Sequence, residues 1–254
     1  MFLGLNRRAS NHASRGEMGN YPIQITITKH IFNYYRYINS KDDSTFVKQA
    51  LHIMVENGSI LKNSYINNLQ ELLRFSNYCH SEKLEYITQS TIREITSCLM
   101  EKYSQHWKMK IDTLPRLEFY SKIKRDFIEE PFLNVVQNFD AKRDYFKFRT
   151  SNHSLFIETG RYCNPIIPRE HRFCNLCKTN EVEDEIHFLF KCNIYSELRK
   201  TFLDRLRALN INLKKDLRDI PILFTSGNIR LTIDVANYIH RCFAKRKREM
   251  KMEV

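Results

Sequence analysis

The chain has 254 residues, enough for one large domain or two modest ones, and its 42% hydrophobic content is that of a globular protein. Six glycines and six prolines leave little turn chemistry for a sandwich or barrel, so the composition favours long helices and a mostly α class. A formal net charge of +12 is more than folding requires and points to a polyanion, nucleic acid above all; a merely basic surface is the bland alternative, and an anionic membrane surface lacks a basic amphipathic segment to carry it.

No run of about eighteen apolar residues is present to span a membrane. The opening Met1-Phe2-Leu3-Gly4-Leu5 is too short for a signal-peptide core and leads directly into Asn6-Arg7-Arg8. Seven cysteines, an odd number scattered irregularly, argue against a disulfide framework and for a reducing compartment, nucleus or cytosol.

Residues 1–20 are polar, carry Gly4, Gly16 and Gly19, and are expected to form a loose entry segment. After Pro22, Ile23-Gln24-Ile25-Thr26-Ile27-Thr28 alternates as a strand would. A helix is nevertheless expected, because Ile31, Phe32, Tyr34, Tyr35 and Tyr37 prolong the segment on a helical stripe without a breaker. Ser44 is placed to cap a helix carrying Phe46, Ala50, Leu51, Ile53 and Met54 and ending near Asn57-Gly58. Further helices are expected through Tyr65, Ile66, Leu69, Leu72 and Leu73, and through Ile92, Ile95, Leu99, Tyr103 and Trp107, which repeat every three or four residues. These should pack as a bundle.

Pro115 and Pro131 punctuate the next stretch, with a helix between them through Leu117, Tyr120 and Ile123. A basic helix is expected from about Lys142 to Thr159, stopping at a left-handed Gly160, followed by an extended connector through Pro165 and Pro168. The C-terminal part predicts one helix with Ile194, Leu198, Phe202, Leu206 and Leu209 on a face and another over residues 233–243. Three regions follow: a helical region over 1–140, a cysteine- and histidine-bearing module over 141–200, and C-terminal helices with a basic tail over 201–254.

Chemistry concentrates at Cys174, Cys177, His187 and Cys192, spaced C-x2-C-x9-H-x4-C. Two thiolates on one tight turn can take adjacent corners of a tetrahedron, and the later His and Cys can take the other two. Sulfur and imidazole donors without a carboxylate suit a closed structural zinc site; the alternative is a set of reduced, buried cysteines acting as small hydrophobes. Glu183-Asp184-Glu185 are expected at the start of a short helix presenting His187. His187 and Cys192 would lie about 140° apart on a regular helix, so that helix should break before Cys192, with Asn193 capping the next. His153 and Cys163 are expected to be structural, since four ligands already complete the set.

Lys142, Arg143, Lys147, Arg149, Arg161, Arg169 and Arg172 surround this motif, interleaved with Tyr145, Phe148, Tyr162 and Phe173. Guanidinium groups pair with phosphates and aromatic faces stack on unpaired bases, so the mixture suits RNA or single-stranded DNA; a solvated basic helix over an aromatic core is the bland reading. The run Lys245-Arg246-Lys247-Arg248 fits an import signal, a phosphate-binding tail or simply the solvated end of a helix.

With Arg149-Thr150-Ser151-Asn152-His153-Ser154-Leu155-Phe156-Ile157-Glu158-Thr159-Gly160-Arg161-Tyr162, then Pro165, Pro168-Arg169, Arg172, the four ligands and Glu183-Asp184-Glu185-Ile186-His187-Phe188-Leu189, the chain resembles the C-terminal region of non-LTR (LINE-like) retrotransposon reverse transcriptase polyproteins. Gly16-Glu17-Met18-Gly19-Asn20-Tyr21-Pro22 looks like that family's segment just downstream of the polymerase. The resemblance implies a zinc-binding knuckle that helps a polymerase hold its nucleic acids, with Cys174, Cys177, His187 and Cys192 as ligands and the polymerase portion of the parent polyprotein as a neighbour. It assigns no settled role to Arg149, Arg161, Arg169 or Arg172. The departures are as informative: Asp42-Asp43 follow Ser40-Lys41 rather than a polymerase Tyr/Phe-x, and neither a Pro-Asp nor a convincing acidic-x-Lys nuclease motif follows Cys192, Glu249-Met250-Lys251 matching by chance. The expectation is a non-enzymatic, zinc-stabilised nucleic-acid-binding piece of a larger element; a zinc-stapled module contacting an acidic protein is the alternative.

Overall fold

Helices make up the architecture in the computed structural model, which describes residues 9–57, 64–76 and 87–252. Among the described residues the extended pairings are two isolated antiparallel bridges, Met18 with Glu129 and Phe173 with Val182. The mostly α expectation is met. The chain divides into two compact units, one of residues 21–106 and one joining 9–20 to 107–252, rather than at 140/141 and 200/201.

The smaller unit holds α2 (Ile23–Asn39), α3 (Phe46–Glu56), α4 (Tyr65–Ser76) and the first part of α5 (Gln89–Thr113). Its core gathers Phe32, Tyr35, Leu51, Leu69, Ile92 and Ile95. The strand-like alternation at its start does not become a strand. Ile25 points inward while Ile23 and Ile27 stay exposed, so the buried positions Ile25, Thr28, Phe32, Tyr35 and Ile38 follow helical spacing. The Thr28 hydroxyl donates to the Gln24 carbonyl, which satisfies that polar group on the buried face. Thr45, not Ser44, occupies the N-cap of α3, because Ser44 donates its backbone N–H and hydroxyl to Asp42 in the preceding turn. Asn57 closes α3, and Gly58 lies outside the described residues.

The larger unit begins with a correction. Residues 11–18 of the supposed entry segment form α1 (Asn11–Met18), capped by Ser10 and ended by Gly19 at φ 61°, the left-handed conformation glycine takes without strain. Ala13, Gly16 and Glu17 are buried, and the Tyr120 hydroxyl donates to the Ala13 carbonyl at 3.1 Å. Then come α6 (Glu118–Ile123), α7 (Phe132–Val135), α8 (Phe139–Arg149), α9 (Phe156–Thr159), α10 (Ser196–Ala208), α11 (Asp219–Thr225) and α12 (Ile229–Met252). α12 packs along α8 and α10, so the contacts of this unit run across the positions 140 and 200. The helix expected over 233–243 is the middle of a longer one, and the core between these helices is aromatic, with Phe148 against Phe119, Phe188, Phe224 and Phe243.

The expected helix from 142 to 159 is two helices. α8 stops at Arg149 and the chain reverses through Ser151 at φ 50° before α9. Gly160 is not a left-handed stop; at φ −63° it opens a 3-10 turn, and a Cβ there would sit 2.9 Å from the Arg172 side chain. The glycine is required by close approach rather than by backbone sign.

At the last residue of α8, the Arg149 side chain is committed to the interior. Arg149 is 1% exposed and donates through Nε and Nη2 to the Glu17 carboxylate at 2.6 and 3.1 Å, and through Nη1 to the Phe224 carbonyl at 3.1 Å. Glu130 also reaches Nη2 at 2.9 Å and pairs with Lys124 at 2.5 Å. Arg149→Met is expected to destabilise the protein by about 3–5 kcal/mol, the cost of leaving a buried carboxylate without its partner. Denaturant unfolding monitored by circular dichroism checks this, and a loss below about 1 kcal/mol would mean that the pair behaves as a surface pair.

Candidate metal centre

The segment from Arg172 to Cys192 is built to bring four donor atoms together. A short hairpin is closed by Cys174 N–H donating to the Glu181 carbonyl at 2.9 Å and Glu183 N–H to the Arg172 carbonyl at 2.8 Å. Its tight bend carries Cys174 and Cys177, and Lys178 and Asn180 take positive φ of 55° to return the chain. Asp184 then caps the next helical segment, its Oδ1 accepting from His187 N–H at 2.8 Å. Glu183 and Glu185 do not share that capping role. Glu183 accepts from Phe156 N–H at 2.7 Å and pairs with Arg246, while Glu185 pairs with His153 at 3.2 Å.

His187 and Cys192 meet by a route that the sequence did not indicate. Residues His187–Lys191 form a π-helical turn, closed by Cys192 N–H donating to the His187 carbonyl at 2.8 Å. Widening the turn by one residue removes the angular mismatch of a regular helix, and the segment ends before Cys192 as expected. Asn193 is not a cap. It opens a 3-10 turn that runs into α10, and Arg199 holds the corner by donating to the Leu189 and Cys192 carbonyls at 3.0 and 2.6 Å.

The ligand atoms of Cys174, Cys177, His187 and Cys192 all lie within 4.8 Å of one another. The Cys174 and Cys192 sulfurs are 4.0 Å apart, and the Cys177 sulfur is 3.3 Å from His187 Nε2. A tetrahedral ion with bonds of about 2.3 Å to sulfur and 2.0 Å to nitrogen needs edges of about 3.8 and 3.5 Å, so the cluster can hold a metal ion with little rearrangement. Cys174, His187 and Cys192 are buried and Cys177 is half-buried. The Glu181 carboxylate lies 3.0 Å from His187 Nδ1, which fixes the ring with Nε2 toward the sulfurs. The sequence reading missed Glu181; an acidic residue six positions before a candidate ligand was its only signal.

The Cys192 thiol beside it and burial push the Cys174 thiol up to about 12. Burial pulls the His187 imidazole down, but the Cys174 sulfur and the Glu181 carboxylate outweigh that and hold it at about 9. Donors that retain protons this firmly give them up when a metal supplies the compensating charge. His153 and Cys163 lie outside the cluster: His153 faces Glu185, and the Cys163 sulfur sits 3.9 Å from the Thr159 carbonyl.

The basic residues around the motif separate into two groups. Arg149 and Arg172 are directed inward and do not face a polyanion. Arg149 is committed to Glu17 and Glu130, and Arg172 is buried with its guanidinium donating to the Ile167 and Ile157 carbonyls at 2.9 and 2.7 Å. Lys142, Arg143, Lys147, Arg161 and Arg169 retain surface, although Arg143 pairs with Asp140, Arg161 with Glu158 and Arg169 with Glu118. Tyr145 and Phe148 are core residues unavailable to stack on bases, whereas Tyr162 and Phe173 are exposed. The terminal basic run is not a free tail either: Arg246 is buried against Glu183 and donates to the Ser154 carbonyl. Among the described residues, no helix is long and apolar enough to cross a membrane.

Glu181→Gln is expected to weaken metal affinity about 10–100-fold, since it removes the carboxylate that orients the imidazole, while Cys174→Ser should abolish tight binding and Cys163→Ser should leave it unchanged. Competition with a chromogenic chelator measures all three, and equal affinity of Glu181→Gln and the parent would remove Glu181 from the site. No family model, curated protein or solved structure matches the chain, so the chemistry of these side chains carries the functional reading.

Proposed function

We propose that this chain is a non-enzymatic, zinc-stabilised nucleic-acid-binding protein, a fragment of a non-LTR retrotransposon reverse transcriptase acting in the nucleus or cytoplasm. The observation that carries the reading is the donor set itself. Three thiols and one imidazole with tetrahedral spacing, backed by a carboxylate on the imidazole, suit zinc better than a hard, oxygen-seeking cation. Four protein donors leave no coordination position for water, the arrangement of a staple rather than of a hydrolytic centre.

RNA or single-stranded DNA as the partner is supported by the net charge of +12 and by the cations of α8 that remain at the surface. The family assignment is supported by the match of the ligand set and its flanking residues to the retrotransposon pattern. Glu17 and Arg149, which form one ion pair, both fall in stretches that resemble the family.

Elemental analysis of the purified protein is expected to give about one zinc per chain, removed by chelation together with loss of folding cooperativity. Binding to single-stranded RNA should weaken steeply between about 50 and 200 mM salt as counterions are released. A metal-free protein with unchanged unfolding would overturn the zinc site. A zinc-loaded protein indifferent to RNA and single-stranded DNA, but binding acidic polypeptides, would replace this reading by the protein-interaction module.

A further inference from the structure

Between α8 and α12 lies a cleft of about 800 Å³, within the roughly 300–1,000 Å³ range of small-molecule sites. Its walls are cationic on both sides. Arg143 and Lys147 line it from α8, one turn apart, and Lys247 and Lys251 line it from α12 at the same spacing. A four-residue step on a helix is about 6 Å, so the four cations make two parallel rows rather than a point cluster. Arg143 pairs with Asp140 and Asp144, Asp144 also holds His240, and Arg246 is committed to Glu183. Among the described residues Lys147, Lys247 and Lys251 form no ion pair, and burial and Arg143 depress the Lys147 pKa against the opposing pull of Asp144.

A second, independent feature lies in the same cleft. Asn152 and His153 line it, and both are more than nine-tenths buried. Among the described residues, neither Nδ2 nor Oδ1 of Asn152 has a hydrogen-bond partner, and neither does Nδ1 of His153, whose Nε2 faces Glu185. Buried amides are almost always satisfied, and each group left without a partner weakens the fold. An Asn amide offers one donor and one acceptor side by side, the complement of a nucleobase edge, and Phe243 and Met250 give the cleft an apolar stretch where a base can lie.

We propose that the α8–α12 cleft is a binding track for a single strand of nucleic acid, with Lys147, Lys247 and Lys251 engaging successive phosphates and the Asn152 amide and His153 engaging a base. The assignment rests on the nucleic-acid reading above and makes it local. Rows of cations a helical turn apart on two facing helices fit a polymer of phosphates better than one phosphate, for which a single convergent cluster suffices.

The test uses the whole zinc-loaded chain and a fluorescein-labelled RNA of about twelve nucleotides, within the range of single-strand site sizes. The triple variant Lys147→Gln, Lys247→Gln, Lys251→Gln should bind at least tenfold more weakly by fluorescence anisotropy. Its dependence of log affinity on log salt should be shallower by about 2, near 0.7 for each lost phosphate contact. A charge-matched triple elsewhere, Lys200→Gln, Lys215→Gln, Arg230→Gln, should change affinity far less; an equal loss would show that net charge alone matters and overturn the cleft. Asn152→Leu separates function from packing, because removing an unpartnered amide should hold or raise the melting temperature while weakening binding at least threefold. Full affinity in the Lys triple or in Asn152→Leu defeats the proposal, and so does AMP competing as well as an unlabelled strand, which would make the ligand a free nucleotide. A parent chain that binds no RNA defeats the nucleic-acid reading itself, a result distinct from failure of the cleft alone.

Discussion

A guanidinium buried at the end of α8 organises the larger unit. Arg149 cannot leave water unless its charge is answered, and the answer comes from two remote segments: Glu17 on α1 and Glu130 before α7, with Lys124 balancing the second carboxylate. Two cations and two anions make this buried group neutral. The guanidinium also lies over the rings of Phe132 and Tyr145, at 5.3 and 5.6 Å from their centroids, where its cationic plane meets the negative aromatic faces. Apolar burial alone would allow α1 to dock in several registers. A charge that must find one carboxylate allows far fewer, which makes an N-terminal helix of eight residues part of a unit whose other members are about a hundred residues further along the chain.

The candidate metal site repeats this logic within the same unit. Its hairpin is too small to bury much apolar surface, so polar ties attach it. Glu183 lies between the ligand pairs in sequence and accepts from Phe156 N–H at the start of α9, while its carboxylate also binds Arg246 of α12. Arg199 fastens the Cys192 corner to α10, and the Tyr238 hydroxyl of α12 donates to the Leu189 carbonyl at 2.8 Å. The four candidate ligands are thereby connected to α9, α10 and α12 as well as to their own loop.

Much of this was legible in the chain. Helical periodicity located α2, α4, α5 and α10, because their buried positions repeat every three or four residues whichever partner they meet. The ligand set was legible because two cysteines two residues apart, followed by a spaced histidine and cysteine, have few other uses. What escaped was whatever depends on pairing across long sequence distances. Residues 11–18 read as a loose segment because their buried face is small and polar, Ala13, Gly16 and Glu17, and its value appears only with Tyr120 and Arg149 in place. Arg149 and Arg172 read as phosphate ligands because a buried arginine and an exposed one look alike in a sequence. The π turn was hidden for a related reason: spacing showed that a regular helix would fail at Cys192 without saying how the chain would adjust.

The corrected placement of the arginines also changes where the surplus charge can act. Removing Arg149 and Arg172 from the surface leaves fewer cations near the hairpin, while α12, folded back along α8, adds Lys247 and Lys251 opposite Lys147. The basic run at the end of the chain therefore divides by helical phase. Arg246 turns inward to Glu183, and its neighbour Lys247 faces the cleft. Because Glu183 belongs to the metal-site hairpin, the strut that fixes this phase originates between the metal ligands. The α12 wall of the cleft is thus tied, through Arg246 and Glu183, to a hairpin that contributes no side chain to the cleft.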